Sequence, residues 1–186
     1  MFVFSEAAAA VSATEPVKPE ARIVERICAG DKEAFGEMYR MFAPLIHGVV
    51  LARVPREEVQ DIVQEVFLAA YKSLHTLRDR NAVGPWLVRI ARNLTVEYYR
   101  QAKPADELPE TLSGKQRPLA EAAEALRAIR SLPEAYSETL VLRLIEGMSG
   151  NEIAERTGLK PESVRVNLHR GMEMLRQKMG IVGARK

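Results

Sequence analysis

The stretch Ser149–Leu175, SGNEIAERTGLKPESVRVNLHRGMEML, predicts two helices joined by a tight turn. Ser149 is followed three residues later by Glu152, which is the capping-box pattern that begins a helix. Gly158 can adopt the left-handed backbone conformation that ends such a helix, and Pro161 suits the first turn of the helix that follows. The stretch therefore predicts a helix-turn-helix.

The second helix of this stretch has two chemically different faces. Apolar residues recur at spacings of three and four, which predicts a buried stripe. The other face carries long hydrogen-bond donors, as a helix lying in the DNA major groove requires. A helical hairpin with a solvated charged face is the alternative, but a cap, a glycine turn and a basic second helix in this order favour DNA binding. The stripe is Val164, Leu168, Met172, Leu175 and Met179, and the basic face is Arg165, Asn167, His169, Arg170 and Arg176.

Length and composition limit the classes of protein that fit. The chain has 186 residues and a formal net charge of +2, so nucleic-acid binding must come from local basic patches. A single cysteine excludes a disulfide framework and a cysteine-rich zinc site. No apolar run approaches the roughly 20 residues that span a bilayer, and we expect a cytoplasmic protein. The three histidines lack metal-ligand spacing, and no nucleophile–base pair or phosphate-binding loop is evident, so we expect neither an enzyme nor a cofactor.

Helical periodicity without strand-type alternation predicts an all-α fold for most of the chain after residue 20. Pro44 should kink or divide the second helix. Cys28 lies on an apolar helical stripe with Ile23, Val24 and Ile27 and is expected to be a buried thiol, with a redox sensor as the minority alternative. A later helix is expected to bury Leu140, Val141, Leu144 and Ile145.

A proline- and acid-containing segment divides the chain into two helical units. We assign residues 1–20 to a loose tail, 21–101 to a first unit, 102–118 to a flexible linker and 119–180 to a second unit with the helix-turn-helix. Such a tether also allows the two units to pack together and hide both DNA surfaces.

The segment Glu58–Leu74 is the most regular amphipathic helix. Its wide apolar face includes Phe67 and Tyr71. A solvated surface is the usual fate of the opposite face, but an apolar residue among its acids indicates a partner surface. That face is Asp61, Gln64, Glu65 and Leu68.

The helix that opens at Pro85 carries a second stripe beside its buried one. An aromatic ring, arginines and an amide in line suit single-stranded nucleic acid, because bases stack on rings and cations meet phosphates. Equally, Trp86 can be a core anchor, and spacing alone leaves both interpretations open. The stripe is Trp86, Arg89, Asn93, Glu97 and Arg100.

Taken together, residues 21 to 179 resemble a bacterial sigma factor of the extracytoplasmic-function kind. Four stretches in order carry the resemblance: Gly30–Phe35 (GDKEAF), Asp61–Phe67 (DIVQEVF), Trp86–Asn93 (WLVRIARN), and Leu132–Glu134 (LPE) followed by the helix-turn-helix.

The resemblance implies two polymerase-bound, DNA-reading units. The first unit would dock on core RNA polymerase through Asp61, Gln64, Glu65 and Leu68, against the coiled coil of the largest subunit. Its stripe from Trp86 to Arg100 would melt the minus-ten element and capture the non-template strand. The second unit would bind the polymerase flap and read the minus-thirty-five duplex. The DNA-facing positions there are Arg165, Val166, Asn167, His169 and Arg170.

Some positions depart from the family pattern. Val166 and Asn167 stand where serine and arginine are frequent, Glu97 replaces an aspartate, and Gly171 replaces an alanine. The resemblance also implies an anti-sigma partner and no membrane insertion. The rival interpretations are a stand-alone helix-turn-helix regulator and a sigma-like decoy that only sequesters an anti-sigma factor.

Overall fold

The computed structural model describes residues 18–101 and 117–181, and within them the chain forms eight α-helices and no strand. The predicted all-α class is therefore confirmed. Short 3-10 turns occupy Arg56–Glu58, Leu74–Thr76 and Arg80–Ala82. The helices are α1 (Pro19–Cys28), α2 (Lys32–Leu51), α3 (Val59–Ser73), α4 (Val83–Gln101), α5 (Arg117–Arg130), α6 (Glu134–Leu144), α7 (Gly150–Thr157) and α8 (Pro161–Lys178).

Helix α2 is the longest element, and it runs through Pro44 without division. Asp31 caps it by accepting hydrogen bonds from the backbone amides of Glu33 and Ala34. The residues on either side of the proline are buried, as Phe42 and Leu45 show with exposures of 2% and 0%. Core packing therefore outweighs the hydrogen bond that the proline removes. Of the two predicted outcomes, division of the helix is excluded, and a kink at Pro44 stays a prediction.

Cys28 is exposed, so the prediction of a buried thiol was also wrong. It is the last residue of α1, and the chain turns away immediately afterwards through Gly30 at φ +91°. The buried side of α1 is instead Ala21, Ile23 and Val24. The thiol thus lies at the end of the helix rather than on the stripe that faces α2.

The predicted helix-turn-helix is confirmed as α7, a turn and α8. Ser149 and Glu152 form both hydrogen bonds of the capping box, and Gly158 ends α7 at φ +76°. Gly171 is buried where α8 crosses α6, and a Cβ there would lie 3.1 Å from Leu140 Cδ1. The absence of a side chain at this position therefore allows the close crossing. One predicted core residue was wrong, since Met179 is 38% exposed.

The two helical units pack against each other. One continuous cluster of buried apolar side chains runs from Ile23 in the first unit to Leu175 in the second. The main contacts between the units join α2 to α6 and α4 to α7. Most of the predicted tail and linker, residues 1–17 and 102–116, lies outside the described residues, whereas α1 and α5 begin at Pro19 and Arg117.

Candidate partner and nucleic-acid interfaces

Helix α8 carries the five DNA-facing positions that the resemblance implies, here called the α8 face. Its side chains Arg165, His169 and Arg170 are exposed, while Val166 is 40% exposed and Asn167 is half-buried. His169 Nε2 lies 3.8 Å from the Glu173 carboxylate one turn later. The two arginines have no such neighbour among the ion pairs of the described residues. Both are available to an anionic ligand. The α8 face comprises Arg165, Val166, Asn167, His169 and Arg170.

A cleft adjoins the α8 face where α7 and α8 begin. Its volume is about 320 Å³, and Gly150, Pro161 and Arg165 line it together with Asn151, Glu162 and Leu168. Because the first turns of both helices border this cleft, the positive ends of two helix dipoles lie beside the Arg165 guanidinium. The local electrostatic potential therefore favours a negatively charged partner, although the negative charge of Glu162 reduces that potential.

Helix α4 presents the second stripe, here called the α4 stripe. Arg89, Asn93 and Arg100 are exposed, whereas Glu97 is half-buried. The Glu97 carboxylate accepts hydrogen bonds of 2.6 Å from both Arg100 and Gln101. These two hydrogen bonds hold the pKa of Glu97 below its usual value, and the bond from Gln101 has the larger effect. The acid therefore offsets the charge of Arg100 and leaves Arg89 as the uncompensated cation of the stripe. The α4 stripe comprises Trp86, Arg89, Asn93, Glu97 and Arg100.

Trp86 is buried, with only 7% of its surface exposed. Of the two interpretations left open by its spacing, burial favours the core anchor, because a ring without a free face cannot stack on a base. Trp86 borders a shallow depression that Arg89 and Pro85 also line. The other lining residues of this depression are Leu77, Asp79 and Ala82.

Helix α3 exposes the acidic face that the sequence predicted, here called the α3 face. Leu68 is 54% exposed in the midst of its polar neighbours. Tyr71 was predicted to be buried, and this was wrong: it is 58% exposed, one turn after Leu68. Its ring meets Phe35 edge-on at 5.1 Å between centroids. The apolar part of the surface is thus larger than the sequence indicated. The α3 face comprises Asp61, Gln64, Glu65 and Leu68, all exposed.

The end of α6 exposes a second apolar pair that sequence reasoning placed in the core. Leu144 and Ile145 are 48% and 46% exposed, so that prediction was wrong, whereas Leu140 and Val141 are fully buried as expected. The helix ends at Leu144, and the buried residues of α6 are the earlier ones, Ser137 to Leu142. Helical spacing alone does not show which apolar residues of a helix are buried by other helices.

Similarity to known proteins identifies the family. Residues 38–104 match Sigma-70 region 2, and residues 122–175 match Sigma-70 region 4. The ECF RNA polymerase sigma-E factor of Escherichia coli K12 is 30% identical over 176 residues, which cover 84% of this chain and 92% of that protein. The chain belongs to the extracytoplasmic-function sigma factors. The ECF RNA polymerase sigma factor SigW of Bacillus subtilis is 26% identical, over 84% of this chain and 94% of the relative. The solved structure of CnrH in complex with the cytosolic domain of CnrY has the same fold, with a TM-score of 0.62, 24% identity, and coverage of 89% and 100% of the two chains.

Membership of this family establishes the function at the level of the whole protein. The chain is an alternative sigma factor: it binds core RNA polymerase and promoter DNA and directs transcription initiation. No helix within the described ranges combines the length and the apolar character needed to cross a bilayer. In the same part of the sigma factor, no three His, Cys, Asp or Glu side chains are grouped as a metal site would require.

Proposed function

We propose that the α3 face, the α4 stripe and the α8 face divide the work of a sigma factor between polymerase, the minus-ten element and the minus-thirty-five element. The observation that carries this proposal is that three different helices each expose charged or polar side chains, with an acidic and apolar character on α3 and a basic character on α4 and α8. The two units correspond to the proposed divisions 21–101 and 119–180. One chain thus offers separate surfaces to a protein, to single-stranded DNA and to duplex DNA.

Melting of the minus-ten element follows from the α4 stripe. Separating the strands costs about 1.4 kcal/mol for each stacked step, and each hydrogen bond made to an extruded base offsets about 0.5–1.5 kcal/mol of that cost. Asn93 carries the amide that can hydrogen-bond such a base, and Arg89 supplies a cation for the backbone. Trp86 supports this surface from beneath by fixing the position of α4.

The α8 face reads the duplex by a different chemistry. An exposed arginine can donate two parallel hydrogen bonds to a guanine edge or bind a phosphate. Val166 can contact only apolar base edges such as the thymine methyl group. The proposed minus-thirty-five contact therefore combines Arg165 and Arg170 with an apolar position between them.

Polymerase docking and regulation complete the proposal. Leu68 and Tyr71 supply an apolar centre to the α3 face, and Leu144 with Ile145 supplies a second apolar contact for the polymerase flap. The sigma factor acts in the cytoplasm as a specificity subunit, while polymerase performs the chemistry. CnrH, which shares the fold, was solved in complex with the cytosolic domain of CnrY, and we propose that an anti-sigma factor likewise restrains this chain.

Two single substitutions test the division of DNA reading. In holoenzyme, Arg165→Ala is expected to weaken binding of a minus-thirty-five duplex by about 10- to 100-fold, since a good arginine–base pair is worth about 1–3 kcal/mol. Asn93→Ala is expected to weaken binding of a single-stranded minus-ten oligonucleotide and to leave the duplex unaffected. Fluorescence anisotropy with the two probes measures both affinities.

Each variant serves as the control for the other, and Arg22→Ala, an exposed arginine of α1, controls for lost charge. Equal losses on both probes, or a loss with Arg22→Ala that matches Arg165→Ala, would contradict the division.

A further inference from the structure

The packed units leave the DNA-reading residues uncovered. Arg89, Asn93, Arg165 and Arg170 are all exposed, although α2 contacts α6 and α4 contacts α7. The expectation that packing of the units hides both DNA surfaces is therefore not met. A different part of the chain starts beside the α4 stripe: residues 1–17, which precede the described residues and are here called the N-terminal segment.

The N-terminal segment joins the rest of the chain at Lys18, close to the beginning of α4. The backbone amide of Lys18 donates to Asn81 Oδ1 at 3.3 Å, and its Nζ lies 2.7 Å from Glu155 Oε1 on α7. Asn81 belongs to the turn Arg80–Ala82, and the Asp79 side chain caps this turn by accepting from the Asn81 amide. Lys18 is therefore held against the turn that leads into α4.

The depression beside Trp86 lies against the same turn. Its volume is about 260 Å³, and Ala82, the residue after Asn81, lines it. Because consecutive Cα atoms are about 3.8 Å apart, Lys18 lies only a few residue lengths from this rim. Residues 1–17 would span about 60 Å if fully extended. The N-terminal segment is thus long enough to place any of its residues in the depression.

The walls of the depression favour an apolar occupant that carries negative charge. Two of the six lining residues are charged. The Asp79 carboxylate accepts the hydrogen bond from the Asn81 amide, whereas Arg89 belongs to no ion pair in the part of the chain that the structure describes. The other four lining residues are apolar: Leu77, Ala82, Pro85 and Trp86.

The sequence of the N-terminal segment has this chemistry. It begins MFVF, and it contains two glutamates but no lysine or arginine. Its aromatic residues are Phe2 and Phe4, and aromatic side chains dominate the energetics of apolar contacts. Glu6 follows Phe4 by two residues, so its carboxylate can approach the Arg89 guanidinium when Phe4 lies in the depression.

We propose that the N-terminal segment lies in the depression through Phe2 and Phe4 and competes with the single-stranded minus-ten element for the α4 stripe. A segment tethered this close has an effective concentration in the millimolar range. If the contact has a dissociation constant of about 0.1 mM, it is formed about 90% of the time and lowers the apparent affinity for the strand about tenfold. The location of the segment is argued from the Lys18 contacts and from charge, whereas its effect on DNA rests on the proposed function of the α4 stripe.

The single tryptophan of the chain reports whether the depression is occupied. Trp86 gives the one indole N–H signal in a two-dimensional proton–nitrogen NMR spectrum, and it borders the depression. Replacing Phe2 and Phe4 together by serine in the full chain is expected to shift that signal, because nearby aromatic rings change the magnetic field at the indole. Ala7→Ser combined with Ala9→Ser is the matched control, since it keeps the length, charge and aromatic residues of the segment, and it should leave the signal unchanged.

Strand binding by the holoenzyme gives the functional readout. The phenylalanine double variant is expected to bind a single-stranded minus-ten oligonucleotide about tenfold more tightly than the wild type, whereas the alanine control should equal the wild type. Affinity for the minus-thirty-five duplex should stay the same in both variants, because the α8 face does not border the depression. Fluorescence anisotropy with the two probes measures these affinities.

The two readouts separate this proposal from the proposed function. An unchanged indole signal in the phenylalanine variant would overturn the contact, as would an equal shift in the alanine control. A wild-type signal that moves with protein concentration would assign the contact to a second copy of the chain and would also overturn it. A shifted signal without tighter strand binding would overturn the competition. Because the NMR measurement needs neither polymerase nor DNA, loss of strand binding in every protein tested would instead count against the proposed function.

Discussion

Replacing Gln64 and Glu65 together by alanine is expected to weaken binding to core RNA polymerase by about 100-fold or more and to abolish most transcription at limiting sigma factor. Both side chains are exposed on α3 and belong to the α3 face. Hydrogen bonds that involve a charged group contribute about 1.5–3 kcal/mol at an interface, and two such losses give this magnitude. Titration of core polymerase with fluorescently labelled sigma factor measures the affinity.

The control for this variant is Glu124→Ala, which removes one negative charge from the exposed side of α5. It should leave polymerase binding within about twofold, since an exposed charge outside the interface changes binding little. The thermal midpoint of the double variant should equal that of the wild type because neither residue is buried. Undiminished capture of core polymerase by the double variant would refute the assignment of the α3 face.

Replacing Trp86 by alanine is expected to destabilise the folded protein by about 3–5 kcal/mol, which is the usual cost of removing a buried aromatic ring. The ring is 7% exposed beneath the α4 stripe. Urea unfolding of the full chain, followed by circular dichroism, measures the change in the free energy of unfolding. Promoter melting should fall as a consequence of the lost support for α4.

Arg89→Ala is the comparison, because Arg89 is exposed on the same helix one turn later. Its effect on the free energy of unfolding should stay within about 0.5 kcal/mol, while permanganate footprinting should show slower melting of the minus-ten element. If Trp86→Ala left stability unchanged and impaired melting alone, the ring would be a base-stacking platform and the core-anchor assignment would be wrong.

Local sequence signals predicted the local structure well. The capping box at Ser149, the left-handed Gly158 and the proline that starts α8 depend on neighbouring residues only, and all three are present. The four stretches that resemble the family likewise carried the family assignment, which comparison with known proteins confirmed.

The errors arose where burial depends on distant parts of the chain. Tyr71, Leu144 and Ile145 lie at apolar spacings, but all three are about half exposed in the folded chain. Pro44 lies within a continuous helix because both sides of it are anchored in the core. In each case, burial or helix continuity depends on contacts with residues that are distant in the sequence, and sequence spacing does not identify those residues.

The contact between the units was the least predictable feature. Arg53 follows the end of α2, Arg92 lies on α4 and Glu138 lies on α6. Arg92 and Glu138 form an ion pair although they are 46 residues apart in the chain. Each of them alone resembles an ordinary charged surface residue. From the sequence alone, Gly48 is only a residue with poor helix propensity. The structure shows that a side chain at this position would clash with Leu142 and Glu146 of the second unit.

The most direct test of the central claim is run-off transcription with purified core polymerase and the purified chain on a pool of genomic promoter fragments. If the chain is a specificity subunit, transcripts should start from a defined subset of fragments, only when both proteins are present, and in proportion to the complex recovered by size-exclusion chromatography. A stand-alone regulator would bind promoters without polymerase, and a decoy would bind an anti-sigma factor without supporting transcription. Failure to form the complex, with no transcript above the level of core polymerase alone, would contradict the account.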